Sequence, residues 1–125
     1  MHEVGTCVEV RAFHVMPGMA GPEGTLHAHD YRLDVVVRRA QLDEQGMVCD
    51  LDVLDAALKK TAGQIAGQDL EMIRPPDAEA VTVEIFARWV HDSLAPTVRS
   101  AGAEELSVRV WESPVAFGGY SAPLT

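Results

Sequence analysis

The chain has 125 residues, 47% of them apolar, and a net charge of −9 at pH 7. That length suits a single domain over 1–125 built around one core, and no apolar run approaches the roughly 20 residues of a membrane span. The acidic balance argues against nucleic acid and anionic membranes as partners. With two cysteines, Cys7 and Cys49, and no leader-like start, the expectation is a cytoplasmic protein with reduced thiols.

The first predicted element is a strand over Val4 to His14, VGTCVEVRAFH. Side chains on a strand alternate between faces, so Val4, Val8, Val10, Ala12 and His14 share one face, and Cys7, Glu9, Arg11 and Phe13 the other. A Gly/Pro-rich loop, MPGMAGPEGT, follows, and then a second alternating run, LHAHDYRLDVVVRR. There His27, His29, Tyr31, Leu33, Val35 and Val37 form one face, apolar except for its polar first members. Two imidazoles roughly 7 Å apart along a strand can both reach one metal ion above it. If the two strands pair as a wide hairpin, His14 lands beside them, and three histidines with an open fourth position describe a catalytic zinc site. The H-x-H spacing by itself fits two ordinary histidines equally well.

Gly46 marks a turn after the second strand. Asp50 caps a predicted helix from about Leu51 to Ala66, with Leu51, Leu54, Leu58 and Ile65 on its inner stripe. A loop broken by Pro75-Pro76 leads to a second helix, capped by Thr82, with Val83, Phe86, Val90 and Leu94 buried and Pro96 ending or kinking it. His91 on that helix is expected to face solvent. In ELSVRVWESP, the apolar face Leu106, Val108, Val110 extends by one step to Glu112. A carboxylate there needs a partner: solvent beyond the sheet end, an arginine, or a ligand. VAFGGY supplies a short last strand. The expected order is β-β-α-α-β-β, an α+β fold with a four-stranded antiparallel sheet and helices on one face.

With three histidines on this frame, the chain resembles the 6-pyruvoyl-tetrahydropterin synthase family, which includes the 6-carboxy-tetrahydropterin synthase of queuosine biosynthesis. The resemblance runs through VRAFH, LHAHDY, GMVCDL, VTVEIFARW and VRVWES. It implies a tunnelling fold that assembles through sheet edges into trimers or hexamers, and a zinc-dependent lyase acting on a pterin such as 7,8-dihydroneopterin triphosphate. It also implies that His14, His27 and His29 hold Zn2+, that Glu112 anchors the pterin ring, and that Thr82 and Glu84 lie near it. Thr82 and Glu84 are equally explained as a helix cap and an acidic first turn.

Two departures from the family pattern stand out. The position of the family's general-base cysteine, four residues before H-x-H, is Glu23, which is therefore the candidate base. The family's Asp-His pair falls on Ala66-Gly67 and is absent, which leaves open a non-catalytic or repurposed zinc- and pterin-binding relative. Arg11, Arg32, Arg38, Arg39 and Arg74 are candidates for a phosphate patch, if the fold brings them together.

Overall fold

The long alternating segments pair in the order in which they occur. The computed structural model describes all 125 residues: β1 His2–His14, β2 His27–Arg39, α1 Leu51–Ile65, α2 Val83–Ser100, β3 Glu105–Ser113 and β4 Ala116–Pro123. The four strands form one sheet in the order β1-β2-β3-β4, antiparallel throughout. Short 3₁₀ helices occupy Gly21–Gly24 and Leu70–Ile73, two stretches expected to be plain loop.

Both helices cover the same sheet face. α1 lies on β1, α2 on β3 and β4, and the two helices touch each other. Period-two alternation decides which side chains they bury: Leu33, Val35, Val37, Leu106 and Val110 are fully enclosed against Leu54, Leu58, Phe86 and Val90. Each such side chain contributes about 1.5–3 kcal/mol relative to exposure. The opposite face stays open and is laced with polar contacts, such as the Trp111 indole N–H donating to Asp34 at 2.8 Å.

Several local expectations need correction. Leu51 is exposed, because it opens the first turn of α1 before the inner stripe begins at Leu54. Pro96 does not end α2, which continues to Ser100. Proline removes the hydrogen bond to the Asp92 carbonyl, but both residues lie on the exposed side of the helix, where water can take that carbonyl. His91 is buried, not solvent-facing. Its ring stands edge-on to Tyr120 of β4 with centroids 4.9 Å apart, and its Nδ1 lies 3.1 Å from Asp92.

Glycine sets the closeness of α2 to β4. A Cβ at Gly118 would lie 2.5 Å from Val83 Cγ2 and 2.9 Å from a Glu84 carboxylate oxygen. The bare backbone there lets the first turn of α2, with Thr82 and Glu84, settle against the sheet end beside the histidines.

Candidate active site

The histidines converge as the hairpin reading requires. In the β1–β2 register His14 faces His27 and Ala12 faces His29. One nitrogen from each of the three rings lies within 4.8 Å of the others. Both His14 nitrogens and the Nε2 atoms of His27 and His29 are buried without a hydrogen-bond partner. Orphaned buried nitrogens of this kind cost about 1–3 kcal/mol each unless something satisfies them. The His27 Nδ1–H can donate to the Thr25 carbonyl at 2.8 Å, which fixes the tautomer and turns the Nε2 lone pair toward the cluster, as an outer-shell partner of a metal ligand does. The donor set fits zinc: three imidazoles, pre-gathered, with nothing else to bind.

Burial first, and repulsion from His27 next, hold the His14 imidazole below its ordinary 6.5; the Val81 backbone opposes them, His29 adds to the lowering, and Glu23 pushes upward. The unfolded chain thus takes up a proton that the folded chain resists. Stability of the metal-free protein is therefore full above pH 6.5 and is lost as pH falls below it, toward the lowered folded value. Thermal unfolding of metal-free protein should show a midpoint that drops between about pH 7 and 5. His14→Phe should flatten that drop, and an unchanged slope would remove His14 as its source.

Beside the cluster is a cavity of about 270 Å³, at the small end of ligand pockets. Its walls include His14, Glu23, Tyr31, Thr82, Glu84 and Glu112. Strand β3 carries Glu112 past the last covered apolar residue, Val110, so its carboxylate emerges at the sheet end into this space. Thr82 Oγ1 accepts from the Ile85 N–H at 3.2 Å, so its hydroxyl already caps α2. Asp50 likewise caps α1 through the Asp52 N–H and takes no part in the cavity.

Glu23 reaches the cluster from the loop between the first two strands. That loop closes on itself: the Met16 N–H donates to the Glu23 carbonyl at 2.8 Å, and Gly18 and Gly21 take φ of 79° and 75°. The carboxylate lies 3.5 Å from His27 Nε2, within ion-pair distance but not as a hydrogen bond, and remains half-exposed.

Tyr31 carried no assigned role in the sequence, although it is the next residue on the His27–His29 face. It is buried beneath His29 and Phe86, with ring centroids 5.5 and 5.1 Å away. Burial, then Glu112, then Glu23 push its phenol well above the usual range. It stays a neutral hydroxyl, a donor in the wall of the cavity it shares with the two carboxylates.

The other candidates lie elsewhere. Arg11 pairs with Asp30 at 3.0 Å, Arg32 with Asp34 at 2.9 Å and Arg38 with Glu3 at 3.1 Å. Arg39 leans on the Val48 carbonyl, and Arg74 is held by Glu71 and the Ala78 carbonyl. The five arginines do not converge on a phosphate patch. Cys7 is on the open sheet face and Cys49 in the core, where burial pushes its thiol up. Ala66-Gly67 lies along the β1 edge, where the Gly67 N–H donates to the Arg11 carbonyl at 2.8 Å.

Residues 6–123 match the sequence profile of 6-pyruvoyl tetrahydropterin synthase. The chain belongs to that family. The structural likeness spans the whole fold. The 6-pyruvoyl tetrahydropterin synthase of Plasmodium falciparum superposes with a TM-score of 0.74 at 15% identity, over 97% of this chain and 98% of that one. That of Caenorhabditis elegans gives 0.71 at 18% identity, over 97% and 95%. A Plasmodium vivax protein of the same name, a variant in which a catalytic glutamate is replaced by alanine, gives 0.73 at 15%, over 98% and 99%. No curated protein matches the sequence significantly. The β-β-α-α-β-β sheet with two helices is the tunnelling fold of this family, and no helix is long and apolar enough to cross a membrane.

Proposed function

We propose that the chain is a zinc-dependent lyase acting on the side chain of a dihydropterin. The observation that carries this reading is the convergence, around one small cavity, of a three-imidazole cluster with two separate carboxylates, Glu23 and Glu112. His14, His27 and His29 would hold the zinc. When bound, zinc polarises a side-chain oxygen and acidifies the neighbouring C–H and O–H bonds.

The protein's own groups do the rest. Glu112 receives the N–H donors of the pterin's guanidine-like edge in fork geometry. That fixes the ring and points its side chain toward the histidines. Glu23, half-exposed and next to His27, takes the proton released from the side chain. The Plasmodium vivax relative has a catalytic glutamate, which supports a glutamate in this role. Tyr31 donates from below, and Thr82 and Glu84 close the cavity at the start of α2. β4 and the part of β1 before Arg11, where the segment from Gly67 to Asp69 begins to cover it, are sheet edges, which suits assembly through the edges into a trimer or hexamer.

A second reading, a zinc- and pterin-binding relative without catalysis, draws on the absence of a carboxylate–imidazole pair at Ala66-Gly67. Both readings require pterin binding, so the first test is a fluorescence titration with neopterin. We expect one site per chain, and Glu112→Gln should weaken binding by roughly 10- to 100-fold, the loss of one charge-assisted fork. Equal affinity in that variant would move the ring elsewhere.

A further inference from the structure

Tyr31 stands where the two ends of the site meet. It follows His29 by two residues on β2, so both side chains leave the same face, roughly 7 Å apart along the strand. Across the β2–β3 pairing Arg32 faces Trp111, and one step further on Tyr31 comes opposite Glu112. Directly opposed residues on one sheet face have Cβ atoms about 5 Å apart. Both relations lie within one chain and follow from strand register. Closure of the cavity mouth by another copy would leave them unchanged.

The phenol is held in place before anything binds. Tyr31 is only 2% exposed, and its ring is packed edge-on against His29 and Phe86. No carbonyl or side chain of the chain accepts from its hydroxyl, and that oxygen is not sealed in protein as the imidazole nitrogens are. The residue lines the cavity together with His14, Glu23 and Glu112. It therefore offers one donor, already oriented, to whatever enters.

A dihydropterin anchored at Glu112 by its N2 and N3 N–H groups, with its C6 side chain at the histidines, lays the intervening ring edge over Tyr31. That edge carries two acceptors, the C4 carbonyl oxygen and the N5 imine nitrogen, and N5 adjoins C6. N5 is also where charge collects. When Glu23 takes the proton of the C2′ hydroxyl, the C2′ carbonyl forms and the C1′–C2′ bond breaks. Its electron pair becomes a C1′=C6 double bond, and the C6=N5 π pair moves onto N5. Return of the proton from Glu23 to C1′ restores the imine and leaves a hydroxymethyl pterin and an aldehyde. Proton loss from C1′ itself, the first step of an elimination, drives its C–H pair along the same route to N5.

We infer, on the footing of the pterin-lyase reading, that Tyr31 is a catalytic residue whose hydroxyl donates to N5 of the bound dihydropterin, most strongly as charge builds there. It stabilises that charge without giving up its proton.

The test uses zinc-loaded, full-length protein in its native assembly. Tyr31→Phe keeps the ring and its packing and deletes only the hydroxyl. On whichever of 7,8-dihydroneopterin and its triphosphate the wild type turns over, kcat should fall roughly 10- to 100-fold, the scale of a hydrogen bond to a charge-bearing atom. Zinc content should stay at one per chain. The second readout is binding of neopterin against 5-deazaneopterin, in which a C–H replaces N5. Wild type should bind neopterin about three- to tenfold tighter, the scale of one neutral hydrogen bond, and Tyr31→Phe should bind the two alike. A purely structural defect would weaken both probes together and leave their ratio as it was. Wild-type kcat in Tyr31→Phe, an unchanged ratio in that variant, or equal binding of the two probes by the wild type would overturn the role of Tyr31 and leave the pterin reading standing. A wild type that turns over neither pterin would overturn both.

Discussion

Glu23→Gln should lower turnover by roughly 10²–10⁴-fold, the usual range for loss of a general base, while zinc content and pterin affinity stay close to wild type. The substitution keeps the size and polarity of the side chain and removes only its capacity to accept a proton. The backbone around it should not shift, because the loop is closed by its own hydrogen bonds and not by this carboxylate. Thr25 caps the 3₁₀ turn through its N–H to the Pro22 carbonyl at 3.2 Å, for instance. The split between kcat and Kd is the decisive readout. A variant that binds the pterin, holds zinc and turns over at the wild-type rate would mean that another group takes the proton. His91, the alternative helical histidine, is then a poor replacement, since it is packed against Tyr120 and does not line the cavity.

Replacing His27 and His29 together with alanine should take zinc from one per chain to near zero, measured by elemental analysis after reconstitution and desalting. Two of three protein ligands are lost, and the single remaining imidazole cannot retain the ion at micromolar concentration. The metal-free double variant should nevertheless unfold at about the temperature of metal-free wild type. Its lost imidazoles include buried nitrogens without partners, whose removal offsets part of the lost packing. Added zinc should then raise the midpoint of wild type only, by the mass-action stabilisation of a ligand that binds the folded state. A variant that still holds one zinc per chain would show that the ligand set is wrong.

Much of this site was legible because strand alternation is a rigid rule. His14 faces His27 in the observed register, and Glu112 continues the face of Val108 and Val110 to the cavity, both consequences of period two. The helix caps at Asp50 and Thr82 follow from local side-chain chemistry and are where the sequence places them. What it does not carry is long-range. The burial of His91 depends on β4 lying beneath α2, and the role open to Tyr31 depends on Phe86 and His29 enclosing it. The scattering of the arginines depends on the partner each one finds: an acid across the β1–β2 pairing for Arg11 and Arg38, Asp34 on the same strand for Arg32, and Glu71 in the same turn for Arg74. That α2 runs on past Pro96 instead of ending there is likewise set by context: the Asp92 carbonyl that the proline leaves unpaired is on the exposed side of the helix, within reach of water.

The most direct test of the whole account is metal dependence of pterin turnover. The purified protein is stripped with a chelator, desalted, and assayed on 7,8-dihydroneopterin and its triphosphate before and after addition of one equivalent of zinc per chain. The account predicts side-chain cleavage that is lost on stripping and restored by zinc, with magnesium unable to replace it because three imidazoles suit zinc and not a hard oxygen-seeking ion. Turnover that persists undiminished in fully stripped protein would contradict it.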